Sequence, residues 1–269
     1  MSTVSNAFRR LHVPGELLVL PNAWDAASAR LIEDCGATAI ATTSAGVAWA
    51  LGHPDGNALP PDVLVPAVAA IARVIRVPLS VDVEAGYSDD PRAVAETVTA
   101  VMGAGAVGIN LEDGAGTPDL LCAKIEAVRA AAKGAGVDLF VNARTDVFLK
   151  RLVPPERAVD ETLARARRYR DAGCDGIFVP ALAEVAAIRA LVAGVAPLPL
   201  NVMAYPGLPD GAGLRELGVR RLSAGAAVAS AALGRARSRA RAFLADGVSE
   251  ALFDESVEYG PTNALFPRS

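Results

Sequence analysis

"RDAGCDGIF", Arg170–Phe178, carries the end of a helix, a glycine and a short apolar run within nine residues. Glycine suits the left-handed conformation that closes a helix, and an apolar run straight after it suits a buried strand. The same phrase recurs as "EDCGATAI" (Glu33–Ile40), "MGAGAVGIN" (Met102–Asn110) and "RELGVRRLS" (Arg215–Ser223). Each is a helix-to-strand joint. Working outward from these four joints, strands fall at 17–23, 38–44, 78–84, 108–113, 139–145, 176–181, 199–204 and 220–225. Helical stretches separate them, among them Asp25–Cys35, Pro91–Gly103, Glu156–Ala172 and Leu214–Leu217. Eight strands alternating with helices predict a (β/α)8 TIM barrel, α/β in class, over an open doubly wound sheet. No glycine-rich dinucleotide fingerprint follows the first strand, which weakens the open-sheet alternative further.

The chain has 269 residues, 52% hydrophobic and 21% charged, which suits one barrel over residues 1–245. Residues 246–269 read as a C-terminal extension used in assembly. The net charge of -4 argues against nucleic acid as a partner, because phosphates need a basic face. The arginines of "RARSRAR" (Arg235–Arg241) sit in a helical segment and read as a solvated face. Cys35, Cys122 and Cys174 are far apart and match no zinc or disulfide spacing, as expected of a reduced, cytoplasmic protein. The start lacks the apolar core of a signal peptide. The uncharged run Ala190–Pro209 is long enough to raise the question of a membrane span, but Pro197, Pro199, Pro206 and Pro209 exclude a spanning helix.

A barrel of this kind carries its active site where the strands end in loops. In "SVDVEAGY" (Ser80–Tyr87) the third strand ends in two carboxylates, Asp82 and Glu84, two residues apart and so expected on one face. Asn110 and Glu112 end the fourth strand, Asn142 and Arg144 the fifth, and Asn201 lies within the seventh. Their neighbours Val81, Val83, Ile109, Leu111 and Val141 are apolar, as for the face that helices cover. Three carboxylates converging in a barrel mouth repel one another unless a cation joins them. An all-oxygen donor set points to magnesium, with manganese as a substitute. Arg144 then offers a planar fork for a substrate carboxylate. The plainer alternative is that Asp82 and Glu84 simply pair with Arg144 in a structural network. His12 and His53 have no nucleophile beside them, and Cys122 lies in an apolar helical pattern.

The pieces "PNAWDAASARLIEDCGATAIATTSAGVA", "LGHPDG", "VDVEAGY", "GINLEDG", "NARTD" and "PLNVMA" stand in the order in which they occur in the isocitrate lyase/phosphoenolpyruvate mutase superfamily, which the chain resembles over about residues 17–244. The resemblance implies a (β/α)8 barrel, often with the eighth helix exchanged between subunits of a homodimer or homotetramer. It implies magnesium and a pyruvate enolate-type intermediate, formed from a small-molecule α-oxo or α-hydroxy di- or tricarboxylic acid. Asp82 then corresponds to the direct magnesium ligand, Glu84 and Glu112 to the holders of its waters, and Arg144 to the substrate clamp. Ser44, Ala45, Gly46 and Val47 correspond to a turn whose N–H groups receive the enolate oxygen. Asp55 corresponds to an acid beside the substrate, Asn201 to a polar residue near its distal end, and Tyr205 to a tyrosine of oxaloacetate-decarboxylase-like members.

The chain also departs from that pattern. Where the lyases carry a Lys-[Lys/Arg]-Cys-Gly-His loop, this sequence reads "EDGAGTPDLLCAK", and the Lys- and Asn-bearing loop of phosphonate-processing members is missing too. The expected activity is therefore carbon–carbon cleavage or decarboxylation, as in isocitrate lyase-like or oxaloacetate decarboxylase-like enzymes. Phosphorus–carbon chemistry on phosphonopyruvate or phosphoenolpyruvate, and a non-catalytic α-oxo-acid binding protein, are the alternatives.

Overall fold

Each of the four joints carries its glycine at a positive φ, Gly36 at 94°, Gly105 at 117°, Gly173 at 104° and Gly218 at 88°, and each turns its helix directly into a strand. The computed structural model describes residues 3–266. Its strands are β1 (Leu18–Leu20), β2 (Ile40–Ala41), β3 (Leu79–Asp82), β4 (Gly108–Glu112), β5 (Phe140–Arg144), β6 (Gly176–Val179), β7 (Leu200–Met203) and β8 (Arg221–Ser223). All pair in parallel in the order β1-β8-β7-β6-β5-β4-β3-β2, and a bridge from Ala23 to Thr42 brings β1 back towards β2. The result is the nearly closed (β/α)8 barrel that the alternation predicts.

The first two strands are shorter than their sequence suggests. Pro21 has no N–H to donate, so the β1 ladder stops at Leu20. Thr43 ends β2 by serving as the N-cap of a helix, Ser44–Ala50, that the sequence reading did not anticipate. Helix Gly211–Glu216 begins three residues before its expected start, because the Asp210 side chain accepts from the Gly213 N–H and caps it there.

Apolar residues that alternate outward, such as Val81, Ile109, Leu111, Val141 and Ile177, pack under the helices as one large core. A smaller cluster around Phe8, Leu20 and Phe140 fills the barrel's N-terminal end. Helix Thr3–Arg10 closes that end: Arg9 pairs with Asp138 at 2.6 Å and Asp175 at 2.8 Å, and Phe8 packs edge-on to Phe140. A Cβ on Gly108 would lie 2.6 Å from the Phe8 ring, so only glycine admits this plug.

The side after β8 is different. Helix Ala227–Asp246 buries only Ala229, and leaves Leu233, Phe243 and Leu244 exposed. Val19, on the outer face of β1, is 51% exposed, although parallel strands are ordinarily covered on both faces.

Candidate active site

The in-register pairing of β3, β4 and β5 sets Asp82 beside Asn110, Asn110 beside Asn142, and Glu112 beside Arg144. Where these strands end, a cavity of about 170 Å³ opens. Asp55, Asp82, Asn110 and Arg144 line it together with Ser44 and Ala45, and Leu149, Phe178, Met203 and Ala226 supply apolar wall. A larger cavity of about 310 Å³, between Arg30, Arg73 and the tail residues Ala264–Phe266, lies at the other end of the strands.

Arg144 is held rigidly. Its Nε and Nη2 donate to the two carboxylate oxygens of Asp146, at 2.7 and 3.2 Å, and its Nη1 lies 2.8 Å from Glu112 Oε2. Its carbon Cζ sits 5.7 Å from the centre of the Phe178 ring. Asp146 is itself fixed through its N–H to Asp113, which accepts in turn from Arg165 and Tyr169. A guanidinium carries five N–H donors, so this scaffold leaves two free for a ligand. Asp146 is the supporting residue the sequence reading passed over, although it ends the quoted "NARTD". Arg144 pairs with Glu112 and Asp146, which replaces the structural network imagined between Arg144, Asp82 and Glu84.

The expectation that Glu84 shares Asp82's strand face is corrected. β3 ends at Asp82, and Glu84 stands beyond it at φ 51°, so strand alternation no longer applies. Its Oε2 accepts from the N–H groups of Gly56 and Asn57, while the Asn57 side chain accepts from the N–H groups of Ala85 and Tyr87. This reciprocal latch fixes the loop that carries Asp55. The other oxygen, Oε1, is buried without a partner.

Three further placements differ from expectation. The predicted turn at Ser44–Val47 is the first turn of helix Ser44–Ala50; Val47 spends its N–H on Thr43 O, and Gly46 is enclosed by Thr43, Trp24 and Ala229. Only Ser44 and Ala45 reach the cavity. Asn201 lies deeper, where it accepts from Asn142 and donates to Val202 O, so it is a strut inside the barrel and not a wall of the cavity. Tyr205 is 47% exposed and does not line the cavity. Asn22, Thr43 and Ser223 line it without having been singled out; each looks in isolation like an ordinary strand-end or capping residue.

The acids are held against their charge. Burial raises the Asp82 carboxyl, with Arg144 opposing and Asp55 adding repulsion. Burial also raises Glu84, opposed by the Asn57 N–H and reinforced by Asp55 and Asp82. Glu112 is pushed up to about 8 by burial, against the pull of Arg144 and with repulsion from Asp82 and Asp146. Among the described residues no three carboxylate, imidazole or thiol groups enclose an ion by themselves. The oxygen-only donors, the orphaned Glu84 Oε1 and the raised carboxyls fit a hydrated divalent ion such as magnesium, which completes much of its shell with water.

Burial, outweighing the pull of Arg144, makes the Glu112 carboxyl give up its proton less readily in the folded state, at about 8, than in the unfolded chain, at 4.5. Glu112 therefore lowers stability as pH rises from about 4.5 to about 8. A divalent cation bound there would displace that proton. Magnesium is expected to raise the melting temperature more at pH 8 than at pH 5.5, read by calorimetry at both; an equal rise would refute the assignment.

Comparison with known proteins agrees with this architecture. The family pattern of phosphoenolpyruvate phosphomutase matches residues 8–244. A protein of Mycobacterium tuberculosis (strain ATCC 25618 / H37Rv) is 41% identical over 245 residues, 90% of each chain. The oxaloacetate decarboxylase of Ectopseudomonas mendocina (strain ymp) is 30% identical over 234 residues, 85% of this chain and 80% of that one. A crystal structure from Burkholderia cenocepacia J2315 superposes with a TM-score of 0.84 at 45% identity, over 89% of this chain and all of the other. Phosphonopyruvate hydrolase, solved with oxalate and magnesium, shares the fold at TM-score 0.85 and 24% identity, over 98% of this chain and 95% of that one. The barrel, its polar mouth and these relatives together make the chain a member of the phosphoenolpyruvate mutase/isocitrate lyase superfamily, whose members include lyases and mutases.

Proposed function

We propose that the chain is a magnesium-dependent carbon–carbon lyase or decarboxylase that forms a pyruvate-type enolate from a short α-oxo diacid. The observation that carries this reading is that one cavity holds Arg144, the one cationic side chain on its wall among the described residues, together with Asp82 and the apolar surface of Leu149, Phe178 and Met203. The two free N–H groups of Arg144 take the carboxylate next to the oxo group. Asp82 would be the magnesium ligand, with Glu84 and Glu112 holding its waters, and the ion would supply positive charge to the oxo oxygen. Ser44 and Ala45, the first residues of helix Ser44–Ala50, line the same cavity, and the positive end of that helix favours negative charge there.

As the C3–C4 bond breaks, its electron pair enters the C2–C3 bond and charge moves to the C2 oxygen. Against the apolar wall a distal carboxylate is poorly solvated, and leaving as neutral carbon dioxide relieves this. C3 then takes its proton from a solvent water, which Asp55, the other carboxylate on the wall, is placed to orient by accepting its second hydrogen. Oxaloacetate, 2-methylisocitrate and phosphonopyruvate are to be assayed for pyruvate release with and without magnesium. Metal-dependent release from oxaloacetate is the expected result. Release from phosphonopyruvate alone would assign phosphorus–carbon chemistry, and oxalate binding without turnover would assign a binding protein.

The active unit in this reading is a homodimer or homotetramer. Helix Ala227–Asp246 and the exposed Val19 on β1 fit an exchange of the eighth helix between subunits. Replacing Leu233 and Leu244 by glutamate is expected to convert the assembly to monomer in analytical ultracentrifugation; an unchanged assembly would rule out that helix as the contact.

A further inference from the structure

Beneath the cavity floor lies a charge that the proposed chemistry does not use. Arg221, on β8, is 1% exposed and stands inside the barrel. No carboxylate pairs with it among the described residues. Its Nη2 donates to Asn110 Oδ1 at 3.2 Å and lies 3.4 Å from Ser80 Oγ, while Nε and Nη1 are buried without partners. Burial lowers it to about 10, with Asp82 opposing. Its Cζ lies 6.0 Å from the centre of the Phe8 ring, its one aromatic contact among the described residues. A buried cation with so few hydrogen bonds and no counter-ion destabilises a fold, and well-packed apolar replacements of buried charges are often neutral or stabilising. Packing alone therefore gives little reason for Arg221.

Its contact with Asn110 supplies one. Asn110 Oδ1 also accepts from Asn142 Nδ2 at 2.9 Å, and Asn142 is anchored through Asn201 at 3.0 Å. A guanidinium can only donate. Two donors, Arg221 from β8 and Asn142 from β5, therefore oblige the Asn110 amide to turn its oxygen towards them and its N–H groups away. Above it the amide meets Asp82, whose charged form it favours, and both line the cavity.

We propose that Arg221 is a positioning residue: acting through Asn110, it makes the cavity floor a fixed N–H donor and thereby orients Asp82 for its ligand. The part concerning Asp82 and magnesium rests on the function proposed above; the orientation of Asn110 does not.

Arg221→Met, Arg221→Lys, Asn110→Ser and the double variant Arg221→Met/Asn110→Ser separate the two parts. In the metal-free protein, the Asn110 side-chain amide is assigned by the signal that Asn110→Ser removes. Its hydrogen exchange is expected to quicken at least tenfold in Arg221→Met and to stay within about threefold in Arg221→Lys. An unchanged rate in Arg221→Met overturns the proposal, whether or not the protein binds metal. For manganese, read by electron paramagnetic resonance, Arg221→Met is expected to bind at least tenfold more weakly while melting no lower than the parent. A merely structural arginine would give the opposite pattern, a lower melting temperature with unchanged affinity. The double variant should lose no more affinity than the worse single one; additive losses would show that Arg221 does not act through Asn110. A parent that binds no manganese would refute the magnesium reading alone, and the amide exchange would still decide the role of Arg221.

Discussion

Asp82→Asn is expected to abolish magnesium-dependent stabilisation and to lower turnover at least 1,000-fold, about 4 kcal/mol of barrel-mouth transition-state binding. The variant keeps the shape of the side chain and an oxygen for the Glu84 N–H, which Asp82 Oδ1 accepts at 3.1 Å. It removes the charge that burial already opposes. Without metal, the variant's melting temperature should therefore equal or exceed the parent's at pH 8, where a buried acid is most unfavourable. Oxalate and magnesium, which should together raise the parent's melting temperature, should leave the variant's unmoved. The melting curve with both ligands is the decisive measurement. A variant that responds like the parent would remove Asp82 from the metal site.

Arg144→Gln is expected to act on stability and turnover together. Glu112 and Asp146 would lose the guanidinium that both contact, and breaking a buried pair in this way costs roughly 3–5 kcal/mol. In a chain of this size that is a fall of roughly 10 °C in melting temperature. Turnover should drop at least 100-fold, because the substrate carboxylate loses its charged, two-pronged partner. Asp146 keeps Lys150 at 3.1 Å, so adding Glu112→Gln alone should recover part of the stability by relieving the acid left without its cation, and none of the activity. Recovery of both would mean that Arg144 serves the scaffold and not the substrate.

The supports of these two residues were unevenly legible. "NARTD" and "VDVEAGY" show Arg144 and Asp82 because polar residues at period two in an apolar strand have no packing reason to be there. Asp146 and Glu84 defeat that logic. Asp146 sits past the end of β5, and Glu84 turns through φ 51° after β3, so the face each presents is set by the loop and its hydrogen bonds. Arg221 was invisible for a different reason. In "RRLS" it resembles its exposed-looking neighbour Arg220, and only the barrel's closure puts it inside, below Asn110.

What the sequence by itself determined is the barrel, and that Asp82 and Arg144 stand at strand ends, because strand period, helix-ending glycines and misplaced polar residues are local signals. The tertiary structure decided the rest: that Glu84 braces the Asp55 loop, that Asn201 is a strut, that Ser44–Val47 is helical, and that helix Ala227–Asp246 lies off the barrel. These depend on which side chains meet across strands and loops far apart in the chain, where contact geometry and shared hydrogen bonds, and not residue type, choose the role.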